Sequence, residues 1–141
     1  MKQLHSAELA ATLRELAGSI VREIPDSSLS RTAAGTLSVL ERLGPQRITT
    51  LAEHEAVSQP AMTGLVQRLE TSGLVTRAGD PDDRRAALIT ITEIGSKELS
   101  ARRLGQDEAI VARLDLLSPY DRALLAAAAP AISSLTRTHV L

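Results

Sequence analysis

Apolar residues recur along this chain with two different periods, and the change from one to the other divides it. Leu9, Leu13, Leu16 and Ile20 stand at spacings of 4, 3 and 4, the stripe of an amphipathic helix, with Glu8, Arg14, Glu15 and Arg22 mostly off it. Ser6 is placed to cap that helix, and Pro25 with the serines after it ends the pattern. A second helix, over about residues 30–42, puts Ala33, Leu37 and Leu40 on one face and stops at Gly44-Pro45. The third is short, with Leu51 and Ala52 turned inward. Thr49 or Thr50 is its expected cap, and Glu53 completes a capping box with Thr50. Ala56 and Val57 turn the chain. Ser58 then caps a fourth helix with Pro60 in its first turn, where the missing N–H costs nothing. Gly73 offers that helix a left-handed stop, with Leu74 packing back as its closure.

After Gly73 the period shortens. Residues 74–77 and 87–91 read as two short strands, joined by a loop rich in Gly, Asp and Pro whose tip is Asp80-Pro81-Asp82-Asp83-Arg84-Arg85. Thr92 caps a long helix to about Leu117. Ser118-Pro119 start the last one, with Asp121 near its positive end and Pro130 expected to kink or interrupt it. Short helix, turn, helix, hairpin is the order of a winged helix-turn-helix, here in a mostly α chain with a minor β part. We expect one domain over residues 1–141, with dimerisation helices at 1–28 and 96–141 and the winged lobe at 30–95. Leu9, Leu13 and Leu16 at one end, and Leu124, Leu125, Ile132 and Leu135 at the other, find no partner inside a compact winged unit. Packing against a second copy would bury them, which predicts a homodimer.

Composition sharpens this picture by what it removes. The chain has 141 residues, enough for one domain with a real core, and a hydrophobic fraction of 43%. Its one aromatic residue is Tyr120, so the core must be built from Leu, Ile, Val and Ala, which favours closely packed helices. Absence of cysteine excludes disulfides, a thiolate zinc site and a cysteine redox switch. His5, His54 and His139 are far apart in sequence, in no i, i+4 pair, so no metal is expected. Neither a signal peptide nor a membrane span is read in the sequence, and the cytoplasm is the expected compartment. A formal charge of −1 lacks the basic footprint, a pI above about 9, of many nucleic-acid binders, so charge placement must carry that argument.

Placement does carry it. On the fourth helix Met62, Leu65, Val66 and Leu69 share one sector and face the core, while Pro60, Gly64, Gln67 and Thr71 lie opposite, flanked by Thr63 and Arg68. That outer face is small and polar and has no acid at its centre, which suits a helix entering the major groove. Gln67 is placed for an adenine edge, Arg68 for a guanine or a phosphate, and Thr63 for a thymine methyl or a phosphate. Ser58 and Gln59, at the helix N-terminus, are placed for a phosphate or an early base. The competing reading, a solvated face of a structural helix, is outweighed by the wing that follows. There Asp83 and Arg85, two apart, are expected to project on one side and pair, holding the Arg85 guanidinium at the tip for the minor groove. Arg84 points elsewhere, toward backbone phosphate, and Asp80 and Asp82 must turn into the loop. Arg47 and Arg77 are candidate backbone contacts or plain surface charges; His54 reads as a surface residue, and Tyr120 as packing. The sequence has no Gly-rich phosphate loop, nucleophile-base constellation or metal-ligand spacing, so it does not read as an enzyme. The alternative to a duplex-DNA reader is a winged-helix module that binds another protein.

These stretches resemble the MarR (multiple antibiotic resistance regulator) family of bacterial transcription factors. The resemblance rests on Ile48-Thr49-Thr50-Leu51-Ala52-Glu53, Val57-Ser58-Gln59-Pro60-Ala61-Met62-Thr63 with Leu65-Val66 and Leu69-Glu70, Gly73-Leu74-Val75, Asp80-Pro81-x-Asp83-Arg84-Arg85, and Ile91-Thr92 with Gly95. It implies a homodimer joined through the first, fifth and sixth helices that binds a short palindromic operator, with half-sites about one helical turn apart. It also implies repression of nearby genes and release by a small anionic or phenolic effector. Ser58, Gln59, Thr63, Gln67, Arg84 and Arg85 correspond to DNA-facing positions. With no cysteine the family's oxidant-sensing mode is excluded, and since family pockets often include aromatic or His side chains, of which this chain offers Tyr120 and three histidines, an aliphatic effector or none is expected in place of a phenolic one.

Overall fold

The computed structural model describes residues 5–23 and 28–138. Pro25, expected to end the first helix, and His139 lie outside them. The chain divides into two compact units, Met1–Ile24 with Gln106–Leu141, and Pro25–Gly105.

After α1 (Ser6–Glu23), which belongs to the other unit, the first element of Pro25–Gly105 is α2 (Arg31–Leu43). Ser30 caps it, its hydroxyl accepting the Ala33 N–H at 3.1 Å. A two-residue strand, β1 (Gln46–Arg47), leads without a break into α3 (Ile48–His54), and α4 (Gln59–Thr71) follows a turn. The wing is β2 (Val75–Asp80) and β3 (Asp83–Ile91), in an antiparallel sheet of order β1-β3-β2. Leu37, Leu40, Leu51, Met62, Val66 and Ile89 are almost wholly buried between these elements. The one fully buried threonine, Thr36, donates its hydroxyl to the Thr32 carbonyl at 2.9 Å, so its burial leaves no polar group unpaired.

Gly73 ends α4 as expected. At φ 75° it lets its own N–H reach the Glu70 carbonyl (2.9 Å) and the Leu74 N–H reach that of Leu69 (2.9 Å), the double bond of a Schellman stop. Thr92 joins the wing to α5 (Glu93–Leu114): its hydroxyl donates to the Gly73 carbonyl at 2.6 Å and accepts the Gly95 N–H at 3.0 Å. A side chain at Gly95 would collide with the Leu74 carbonyl, so only glycine permits this close approach.

The other unit holds α1 (Ser6–Glu23), the last part of α5 and α6 (Pro119–Arg137). Arg113 bridges α5 to α1, with its guanidinium on Ser19 Oγ (2.8 Å) and Glu23 (3.3 Å). Neither α1 nor α6 contributes a buried residue.

Several local expectations are corrected. Ser6 is the first helical residue rather than the cap; His5 takes the cap position, its N–H donated to the Glu8 carboxylate three residues on (3.1 Å). Neither Thr49 nor Thr50 caps α3. Pairing of β1 with β3 brings the chain straight from strand into helix, so Arg47 is the cap and makes no side-chain capping bond. The wing strands are longer than their apolar pattern, because backbone pairing continues through polar residues to Asp80 and Asp83 and leaves Pro81-Asp82 as the turn. The fifth helix stops at Leu114, and α6 runs through Pro130 without interruption. Ala126, whose carbonyl loses its helical partner to that proline, is exposed and can bond water instead.

Candidate nucleic-acid interface

The outer face of α4 is built as its pattern predicts. Met62, Leu65, Val66 and Leu69 are buried beneath it, while Gln59, Pro60, Thr63, Gln67 and Arg68 are exposed and Gly64 is half-exposed. Ser58 caps the helix by accepting the Ala61 N–H at 3.3 Å, which leaves its own hydroxyl proton free to be donated outward. Thr63 and Thr71 donate their hydroxyls back to the Gln59 and Gln67 carbonyls, both at 2.9 Å. That bond ties down their donors, so Thr63 offers a methyl and oxygen lone pairs to a groove.

On the wing, the register shifts between Gly79 and Asp80: Gly79 faces Ala87 while Asp80 faces Asp83. Arg84, Arg85 and Ala86 therefore bulge out with no partner on β2. Arg84 and Arg85 are exposed, and neither forms an ion pair among the described residues. The expected side-chain pair of Asp83 with Arg85 is not formed. Asp83 instead accepts the Arg85 backbone N–H at 2.9 Å, because the bulge turns that N–H toward the carboxylate and leaves the guanidinium outward. Asp83 thus braces the wing through the main chain.

Asp80, expected to turn into the loop, does so and is buried there. One carboxylate oxygen accepts the Asp82 N–H at 2.9 Å; the other meets the Arg47 guanidinium through Nε (2.6 Å) and a terminal nitrogen (2.5 Å). The Asp82 N–H holds this carboxyl below its ordinary value. Desolvation opposes that shift, and Arg47 and the Asp83 N–H add to it. Linear spacing carried no sign of the Arg47–Asp80 pair, whose members are 33 residues apart. Asp82, by contrast, is exposed at the turn.

Arg47, Thr49, Gln59, Arg77, Asp83 and Arg85 line one cleft of about 330 Å³ between the start of α3, the start of α4 and the wing. Three guanidiniums share it. Arg47 is countered by Asp80 and Arg77 by Glu70 (3.6 Å), and Arg85 has no ion-pair partner among the described residues. Two expected site residues far apart in sequence, Gln59 and Arg85, are thereby brought together. Gly64, Gln67 and Arg68 line a separate depression on α4 with Thr71 and Ser72, and Arg84 lines neither cavity. His54 is exposed on α3, as expected. No cluster of three or more His, Cys, Asp or Glu suited to a metal occurs among the described residues, and no helix among them is long and apolar enough to cross a membrane.

A capped helix with a small polar outer face, beside a hairpin that presents bulged arginines, defines a winged helix-turn-helix protein. The sequence model of the MarR family matches residues 29–87. The chain is 31% identical over 105 residues to the HTH-type transcriptional regulator YpoP of Bacillus subtilis, covering 74% of each chain. With the HTH-type transcriptional repressor NicR of Pseudomonas putida it shares 36% identity over 76 residues, 54% of this chain and 48% of NicR. The solved transcriptional regulator Tm0710 of Thermotoga maritima superposes with a TM-score of 0.72 at 25% identity, over 92% of this chain and 94% of that one. The chain belongs to the MarR family of HTH-type transcriptional regulators. It is a DNA-binding transcriptional regulator.

Proposed function

We infer that the protein is a homodimeric repressor of a palindromic operator, with α4 of each copy in successive major grooves and the bulged wing arginines at the flanking backbone and minor groove. The observation that carries this reading is the shared cleft of Gln59 and Arg85. It sets a helix N-terminus and the Arg85 guanidinium on one continuous surface, where a single DNA strand can meet both. In this reading Ser58, Gln59 and Arg84 hold phosphates, Thr63, Gln67 and Arg68 face bases, and Pro60 and Gly64 keep the helix thin where it enters the groove.

Dimerisation is supported by the terminal helices, where Leu9, Leu16, Leu124, Leu125 and Leu135 stay at least two-fifths exposed in the single chain. Patches of that kind mark interaction surfaces. Residues 1–28 and 96–141 are the proposed dimerisation part, and residues 30–95 the DNA-binding lobe. Repression is supported by the likeness to NicR, a repressor by name. An effector that releases the protein from DNA would be aliphatic in this reading, since the one aromatic side chain, Tyr120, is 68% exposed on α6.

The test is selection from a random duplex pool by the purified protein. One palindrome, with half-sites about a helical turn apart, is the expected product. Arg85→Ala should then weaken binding of that duplex by roughly 1–3 kcal/mol while leaving the dimer intact in sedimentation. Recovery of asymmetric sites, or of nothing above background from folded protein, would overturn the palindromic dimer.

A further inference from the structure

Glycine inside a helix destabilises it relative to alanine, so a helical glycine calls for a reason. Gly95 has one, in the carbonyl that lies against it. Gly64 has none among the described residues. It sits in the middle of α4, its φ is not in the left-handed region, and an added Cβ would meet one atom, the Arg68 guanidinium nitrogen, at an ordinary 3.6 Å. The fold would accept alanine there.

What the missing side chain does produce is a depression on the outer face of α4. Gly64, Gln67, Arg68 and Thr71 line it, residues at i, i+3, i+4 and i+7 along one helical face. A major groove about 12 Å wide admits a helix about 10–12 Å across with little to spare. One residue without a side chain at the point of closest approach lets the backbone sink toward the bases, and Gln67 and Arg68, one turn on, then reach base edges.

We propose that Gly64 is a specificity-determining residue, keeping the centre of α4 free of side chain so that a base-pair edge can occupy the depression beside Gln67 and Arg68. The proposal rests on the reading of α4 as the helix that enters the groove. It predicts opposite signs for stability and recognition from a single substitution, which a purely structural glycine does not.

The experiment compares wild type, Gly64→Ala, Gly64→Leu and Gln67→Ala. The probes are the duplex that the wild-type protein selects from a random pool and a random-sequence duplex of the same length. Gly64→Ala should raise the thermal midpoint by about 2–4 °C, weaken the selected duplex at least about fivefold, and leave the random duplex within about twofold, since phosphate contacts carry that binding. Gly64→Leu, also a good helix former, should weaken the selected duplex further without unfolding the protein. Unchanged affinity in both Gly64 variants, with loss in Gln67→Ala, would overturn the proposal and leave the recognition helix standing. Unchanged affinity in all three variants, or no duplex selected by the wild type, would overturn both. Equal weakening of selected and random duplex would also overturn it, by showing general disruption of the helix rather than lost base recognition.

Discussion

The two units of this chain use the same leucine-rich amphipathic helices and reach opposite outcomes. Within Pro25–Gly105, Leu37, Leu40 and Leu51 are at most 1% exposed. In the other unit, Leu9 is 48% exposed, Leu124 49% and Leu135 57%, although the stripes that carry them are as regular. Periodicity therefore states which face of a helix is apolar and leaves open what covers it. The winged lobe closes around its own core; the terminal helices hold their apolar surface for something else, which we propose is a second copy.

The largest effect should separate the units outright. Leu37→Ala should cost about 2–5 kcal/mol in denaturant unfolding, as for other wholly buried leucines, and Leu124→Ala in protein dilute enough to be monomeric should cost far less. Equal costs would mean that α6 is packed within the single chain and would break the comparison. Next in size, Leu125→Asp should weaken self-association at least about tenfold, or about 1.4 kcal/mol, in sedimentation equilibrium, with the helical circular dichroism of the winged lobe retained. Undiminished association would remove α6 from the proposed interface.

Ala56, in the turn between α3 and α4, has φ 51°, a left-handed conformation that strains any residue with a Cβ. Ala56→Gly should stabilise the winged lobe by about 0.5–1 kcal/mol, the relieved strain exceeding the added freedom of the unfolded chain. A destabilised variant would show that the turn is held by contacts of the alanine methyl.

The smallest effects concern acid, and two carboxylates should respond with opposite signs. Asp80 is held below its ordinary 3.8 by the Asp82 N–H and Arg47, so its contribution to stability is complete above that value and is lost as pH falls through the lower folded value. Glu55 lies against Gly35, and burial pushes its carboxyl above the ordinary 4.5 against the pull of His54. Its folded form prefers the proton, so this contribution is present below 4.5 and is lost as pH rises through the folded value. Thermal midpoints against pH should show Asp80→Asn less stable than wild type near neutrality and converging with it in acid. Glu55→Gln should be the more stable near neutrality, with its advantage fading below pH 4.5. A Glu55→Gln midpoint below wild type at neutral pH would show that the carboxylate is stabilised where it lies.

Ser58 caps α4, Ser118 caps α6 and Gly73 stops α4, as their sequence neighbourhoods imply, while Ser30, expected inside its helix, is the cap one residue before it. Each of these bonds closes within about one helical turn, so the residues that decide it are adjacent in the sequence. The buried face of α4 was legible for the same reason, since 3.6-residue periodicity is a local property. Strand β1 was not legible, because two residues carry no alternation and its pairing with Leu88 and Ile89 is made across some forty positions. Nor was the Asp80–Arg47 pair, nor the bulge that sends Arg84 and Arg85 outward and gives Asp83 a backbone partner.

The helices and the wing hairpin, the Ser58 cap, the Gly73 stop, the apolar face of each helix and the small polar face of α4 thus follow from the order of residues, because torsional preference and nearest-neighbour hydrogen bonding act over a few positions; the caps of α1 and α3 did not. The gathering of Arg47, Gln59 and Arg85 around one cleft, and the contrast between covered and uncovered leucines, were decided by the tertiary structure. Ion pairing and burial depend on which distant segments meet, and that is settled by packing and strand register, which no local stretch of this chain contains.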